Sequence, residues 1–336
     1  RSFTSDVTAH LARDPRPGGW RIDYDRSDIR FYGQGVRPGL DSETLQSGQG
    51  SLTYRFDPTF QASATAGYED DDFFASSQSG AIYGGGFEWH PNHRTSLTAH
   101  AEHHYFGPSY NVVFDHHTPL TVWSVKASRD LTTYPEQLGT LSAGADVATI
   151  LNGLFSSRVA DPAQRQALVN QVIAERGLPQ SLGSPLTLYA QQVTLEELAT
   201  ATFGILGARN SVFVSGYRSR SEPVPGTASD VLASLFTTIL DNTQIGANAV
   251  WTHQLAANLS AGLTGGWSRT TDNENRFENS NVLGRTTLYT VDATLSRSIS
   301  RLTSFLAGLR YQDSQSNIST SYREFAVYVG VTHRFR

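Results

Sequence analysis

The segment from Phe325 to Arg336 reads FAVYVGVTHRFR, and it predicts the fold of the whole chain. Side chains alternate between the two faces of a strand, so one face carries Phe325, Val327, Val329, Val331 and Phe335. The opposite face is mostly small and polar. An apolar face ending in a near-terminal aromatic residue is typical of the last strand of an outer-membrane β-barrel. For this segment alone, an amphipathic strand of a soluble β-domain is the alternative.

The same alternation recurs along the chain, for example over Phe60–Tyr68, Tyr83–Trp89, Ile245–Trp251, Leu259–Trp267 and Phe305–Tyr311. Several apolar faces end in Tyr or Trp, where an interfacial aromatic belt lies. We therefore predict an all-β fold over residues 1–336: a single transmembrane antiparallel up-and-down β-barrel with about fifteen strands in this chain.

Predicted connections alternate between short turns and longer loops, which is the arrangement of periplasmic turns and external loops in outer-membrane barrels. The acidic run Glu69–Asp72 opens one such loop, predicted at 69–80. A solvated loop is the expected role of this run, and Ca²⁺ binding is the alternative. Bacterial barrels have even strand numbers, so we expect sixteen or more strands when complete and N-terminal sequence missing here. A miscounted hairpin is the alternative.

Two short helical inserts are predicted in external loops. The loop at 133–190 contains a helix at 161–177, where Asp161 can cap, Pro162 fits the first position and Gly177 fits the end. The loop at 222–242 contains a helix at 229–240 with an apolar stripe. These inserts either plug or cover the pore, or pack a small core on the rim or against a neighbouring subunit.

Composition narrows the function. The 336 residues include no Cys, which excludes disulfides, thiol catalysis and thiolate metal sites. A net charge of −5 argues against a nucleic-acid partner. The sequence contains no G-x-S-x-G element and no phosphate-binding glycine loop, so we predict no catalytic residues and no cofactor.

Seven of the ten His residues lie between His90 and His117. His100, Glu102 and His104 share one face of a predicted strand, in a pattern that can bind a divalent metal. That face is the predicted lumen face, where polar residues are expected anyway. We therefore predict no metal site and keep these three residues as candidates. Protonation of the cluster can also tune the charge of the pore.

Three basic residues are candidates for lining the lumen and selecting anionic solutes or anionic sugar polymers: Arg218, Arg310 and Arg334. Salt bridges with nearby carboxylates are an equally good explanation of these residues.

The stretch from Phe87 to Leu138 carries a set of short motifs. W-x-P-x-x-R-T-S-L begins at Trp89, F-G-x-x-Y begins at Phe106, and H-x-T-P-x-T-x-W begins at His116. With these motifs the chain resembles the PEP-CTERM system-associated outer-membrane β-barrel proteins, and Ala208–Glu222 resembles a later part of them. The resemblance implies an outer-membrane barrel encoded at exopolysaccharide and exosortase loci. It implies no catalytic residues.

We therefore expect a porin-like channel of the bacterial outer membrane, a conduit for solute or exopolysaccharide. The alternative is a non-conducting structural or anchoring barrel that binds a partner through its external loops, and a barrel enzyme is not predicted. Expected partners are outer-membrane lipid, polysaccharide export components and further copies of the chain in a homo-oligomer.

Overall fold

The computed structural model describes residues 2–32, 42–73, 76–133, 147–156, 159, 161–176, 178, 182, 193–224, 241–273, 283–300 and 302–333. This part of the chain contains fifteen strands and two helices. The helices are α1, Val147–Phe155, and α2, Pro162–Arg176. The strands are β1 Ser2–Arg13, β2 Gly18–Phe31, β3 Ser42–Asp57, β4 Phe60–Phe73, β5 Ser76–Asn92, β6 Thr95–His104, β7 Gly107–His117, β8 Thr121–Thr132, β9 Thr194–Leu206, β10 Asn210–Pro223, β11 Asn242–Ala256, β12 Leu259–Asp272, β13 Arg285–Ser298, β14 Thr303–Ser316 and β15 Tyr322–His333.

Each strand pairs antiparallel with its neighbours in sequence, in the order β1 to β15. The predicted up-and-down all-β fold is therefore confirmed. In the described sheet β1 and β15 are the two edge strands, and a total of sixteen or more strands stays a prediction. No helix in the described ranges is long and apolar enough to cross a membrane.

One face of the sheet is apolar and exposed. On β15, Phe325, Val327, Val329 and Val331 are 66–67% exposed. The face continues on β14 and β13 through the register, since Leu309 pairs with Val327 and with Ala293. A row of exposed apolar side chains across neighbouring strands is the lipid-facing surface of a membrane barrel. Phe335 lies outside the described residues.

The opposite face is polar and concave. One cavity of about 510 Å³ is bounded by Thr4 on β1, Glu69 on β4 and Asp130 on β8, so the sheet curls far enough to bring these strands round a common space. The fold is a transmembrane antiparallel β-barrel with a polar lumen.

The two ends of the barrel differ. At one end all connections are short: 14–17, 58–59, 93–94, 118–120, 207–209, 257–258 and 299–302. At the other end, which we call the long-loop end, most connections are longer, including 133–193 and 224–241. The loop predicted at 69–80 is wrong, because β4 and β5 continue through it and leave only 74–75 between them. The helix predicted at 229–240 lies outside the described residues.

On the lumen face, the side chain of Tyr328 on β15 extends over β14 and reaches Asp292 on β13. The Tyr328 hydroxyl donates to both carboxylate oxygens of Asp292, each at 3.0 Å, and Asp292 lies beyond β14. The ring therefore passes over Gly308, where an added Cβ would collide with it. A close contact of this kind requires glycine at position 308.

We expect Gly308→Ala to lower the free energy of unfolding by about 1–3 kcal/mol, because the methyl group displaces the Tyr328 ring. Urea unfolding in lipid vesicles measures it. Gly330→Ala on β15 is the matched control, since no atom lies within 4 Å of its added Cβ. Equal losses in both variants would mean that strand glycines, and not the ring contact, determine the effect.

Candidate functional site

A row of charged side chains lies on the lumen wall of β4 and β6. The His104 ring is held between two carboxylates, with Nδ1 2.8 Å from Glu69 Oε2 and Nε2 3.4 Å from Glu102 Oε2. His100 Nε2 lies 2.7 Å from the other Glu102 oxygen. The side chains of His104 and Glu69 are only 12% and 6% exposed. The four groups therefore form one continuous ion-pair network, which we call the His–Glu network.

The strand register explains how the wall accommodates these side chains. Glu102 pairs with Gly84 on β5, and His100 pairs with Gly86. A Cβ on Gly86 would lie 2.5 Å from His100 Nδ1. Because these two glycines have no side chains, the larger side chains of Glu102 and His100 can lie over β5.

The three metal candidates, His100, Glu102 and His104, lie on one face of β6, as predicted. However, in the described part of the chain no group of three or more His, Asp or Glu residues is arranged to hold a metal ion. Both ring nitrogens of His104 lie within ion-pair distance of a carboxylate. In the structure these three candidates pair with one another and with Glu69 on the lumen wall.

The acidic run is part of a strand and not a solvated loop. Glu69 and Asp71 point inward and are 5% and 4% exposed, whereas Asp70 and Asp72 alternate with them on the outside. Tyr105 stabilises both buried carboxylates, with its amide 3.0 Å from Glu69 and its hydroxyl 3.0 Å from Asp71. The backbone amide of Gln46 donates to Asp71 at 3.1 Å. The sequence does not indicate this burial, because the hydrogen-bond donors that stabilise the carboxylates come from β3 and from the turn after β6.

The helix pair packs against the inner wall of the barrel. Residues of α1 and α2 form an apolar cluster with Val122 on β8, Phe213 on β10 and Val250 on β11. These wall residues point inward, because their sequence neighbours on the outward face, such as Trp123, are exposed. The segment predicted as an external loop at 133–190 therefore places its helices inside the lumen. A position on the inner wall suits the plug alternative, which stays a proposal.

The helix pair reaches deep into the barrel. Ser156, which follows α1, has its Oγ 3.5 Å from His117 Nε2, and His117 is the last residue of β7 beside the short turn 118–120. A second cavity, of about 820 Å³, lies between the helices and the inner faces of β7, β8 and β9. The helices occupy part of the lumen and leave polar space beside them.

The sequence prediction included α2 but missed α1. The apolar residues of α1 follow helical spacing and are all buried: Val147, Ile150, Leu151, Leu154 and Phe155. This stripe is visible in the sequence and would have identified the helix.

The arginine candidates lie in different places. Arg310 is on the inward face, 3.1 Å from Glu324, as the sequence analysis expects. Arg218 lies on the outward face beside Val214, 2.8 Å from Glu197, and not in the lumen. On β10 the inward set has odd numbers, from Ser211 to Ser219, so strand parity excludes Arg218 from the lumen wall. Arg334 lies outside the described residues.

We expect His104→Ala to destabilise the barrel by about 3 kcal/mol or more, because it leaves Glu69 buried without a cation. Urea unfolding measures the loss. His90→Ala is the control, since His90 and Glu88 form an exposed pair on the same face, 3.8 Å apart, whose removal costs under about 1 kcal/mol. Equal losses in the two variants would contradict a structural role for the His–Glu network.

Comparison with known proteins finds only distant structural similarity to outer-membrane proteins. No family model matches this chain, and no curated protein matches it. Among solved structures, a bacterial polysaccharide outer membrane secretin aligns over 99% of this chain and 91% of its own, at 10% identity and a TM-score of 0.33. OmpT, an outer membrane protein of Vibrio cholerae, aligns over 99% and 95%, at 6% identity and a TM-score of 0.37. A BenF-like porin from Pseudomonas fluorescens Pf-5 aligns over 98% and 91%, at 10% identity and a TM-score of 0.34.

Scores this low carry no argument about the present chain, and its resemblance to the PEP-CTERM-associated barrels stays a prediction. The class of protein follows from the chain's own geometry. A barrel of antiparallel strands with an apolar outer band and a polar lumen is a protein of the bacterial outer membrane.

Proposed function

We propose that this protein is an outer-membrane channel, a conduit for solute or exopolysaccharide, whose lumen is narrowed by the α1–α2 pair. The observation that carries this proposal is the helix pair on the inner wall, with polar cavities of about 510 and 820 Å³ in the lumen. Barrels of about eight strands fill their interior with side chains, whereas those of about sixteen leave an aqueous channel. Fifteen described strands place this chain near the second group.

The charge of the 510 Å³ cavity favours neutral or cationic solutes over anionic ones. His104 is the basic side chain that faces the 510 Å³ cavity, since Arg26, which also borders it, alternates onto the outward face with Ile22 and Tyr24, and carboxylates outnumber both. The carboxylates are Asp6, Asp25, Glu69, Asp71, Glu102 and Asp130. A ring of carboxylates at a constriction favours cations. A sugar polymer that passes this region is therefore expected to be neutral, in contrast to the anion selectivity considered from the arginines alone.

Removing the helix pair tests the conduit directly. Each helix is about 10 Å across with its side chains, so replacing 147–176 by a flexible Gly-Ser linker widens the lumen. We expect single-channel steps in a planar bilayer at least about two-fold larger than those of the unaltered protein.

Point variants control for the deletion. Leu151→Asp disrupts the buried contact of α1 with the wall and should also enlarge or destabilise the steps, whereas Ala167→Asp on the exposed side of α2 should not. If neither the full protein nor the deletion conducts while both are folded, the channel proposal fails.

The lumen carboxylates are tested by ion selectivity. In a KCl gradient we expect a reversal potential that shows cation preference, reduced by the Asp6→Asn and Asp25→Asn double substitution. Asp72→Asn, which removes a charge from the outward face, is the control and should leave the potential unchanged. An anion-selective channel would contradict the proposed role of these carboxylates.

A non-conducting anchoring barrel is the second candidate, favoured by the apolar packing that holds the helices against the wall. In either case, polysaccharide export components and further copies of the chain are the proposed partners.

A further inference from the structure

Four arginines lie together on the outward face of β10–β13 at the long-loop end. Arg218 on β10 pairs with Ile245 on β11, and Ile245 pairs with Arg269 on β12, so the three residues form a row across neighbouring strands. Arg220 and Arg285 lie one step further towards the loops in the next row, linked through Thr243 and Thr271. We call these four residues the arginine patch.

The arginine patch lies at the level of lipid headgroups. Trp267 pairs with Tyr289 across β12 and β13, and both are on the lipid-facing side, where aromatic residues mark the membrane interface. Arg269 is two residues beyond Trp267, which is about 7 Å along the strand. Its guanidinium carbon is 5.7 Å from the centroid of the Trp267 ring. This contact directs the cation along the interface instead of into the lumen.

Among the described residues of β10–β13, the outward face at this end carries more basic than acidic side chains. Arg218 is paired with Glu197, and Arg220 is paired with Glu222 and Asp241. Within the described residues, neither Arg269 nor Arg285 has a carboxylate partner. The same end of β2–β4 is different, because its outward arginines, Arg26 and Arg30, are outnumbered by the outward carboxylates Asp28, Asp70 and Asp72. The basic excess is therefore local to β10–β13.

We infer that the arginine patch binds the headgroup of a phosphorylated glycolipid in the membrane leaflet at the long-loop end. Guanidinium groups bind phosphate in bidentate fashion, and the apolar band below them accommodates acyl chains. Strands are about 4.8 Å apart, so Arg218 and Arg269 are about 10 Å apart. A headgroup that carries two phosphates gives each of these arginines its own phosphate, whereas a single phosphodiester shares one negative charge between them. The inference depends on the membrane placement of the barrel and not on whether its lumen conducts.

Native mass spectrometry of the full chain in detergent tests this inference, with bisphosphorylated lipid A as the probe. We expect one tightly held lipid A, and at least about ten-fold weaker binding by the Arg218→Gln and Arg269→Gln double variant. Glu197→Gln should strengthen binding, because it releases Arg218 from its carboxylate. Arg310→Gln is the matched control, since Arg310 is an equally exposed arginine on the lumen face.

Two further probes use the unaltered protein, so the test does not depend on the folding of a variant. Lipid A without its phosphates and phosphatidylglycerol should both bind at least about ten-fold more weakly than bisphosphorylated lipid A. Equal binding of the phosphate-free lipid, or no loss in the double variant, would overturn the site. Equal binding of phosphatidylglycerol would overturn the choice of a glycolipid.

Discussion

Hydrocarbon offers no hydrogen-bond partners, so every backbone amide and carbonyl within the membrane must be paired inside the protein. The continuous antiparallel pairing from β1 to β15 satisfies this constraint. Once the backbone is fixed in this way, each strand side chain faces either the lipid or the lumen. Successive residues alternate between the two faces, so the position of a residue in its strand determines which one it faces. The exposed valines of β15 and the buried network of β4 and β6 are two results of the same rule.

The lumen wall shows how charges can be buried on one side of such a sheet. Burying a carboxylate is costly unless it is paired and hydrogen-bonded. Glu69 and Asp71 meet that condition through Gln46 on β3 and through His104 and Tyr105 at the end of β6. Because these donors converge only after β3, β4, β5 and β6 have paired in sequence, the network stabilises the register of these strands as well as the charges.

The period-2 pattern made the fold predictable from the sequence, and the strand face of His100, Glu102 and His104 followed from the same pattern. What the sequence alone did not reveal depended on tertiary partners. Four acidic residues in a row resemble a loop until their donors are known, which is why 69–80 was predicted wrongly. Arg218 is a candidate for the lumen or rim from the sequence alone, since the alternating Arg and Ser of its segment do not distinguish the two faces by hydropathy. The buried side chains of Phe213 and Tyr217 show which face of β10 points inward.

The inward-facing apolar residues are the most informative departure from the barrel pattern. Val122, Phe213 and Val250 would meet water in a simple pore, and each is instead 7% exposed or less because the helices cover it. Their cover is the apolar stripe of α1, which would also be exposed to water if the helices left the lumen. The apolar stripe of α1 and the apolar wall residues bury each other. The hydrophobic effect therefore holds the helix pair in place, and strand pairing does not. Moving the helix pair out of the lumen therefore removes the burial of this cluster but leaves the strand pairing of the barrel wall unchanged.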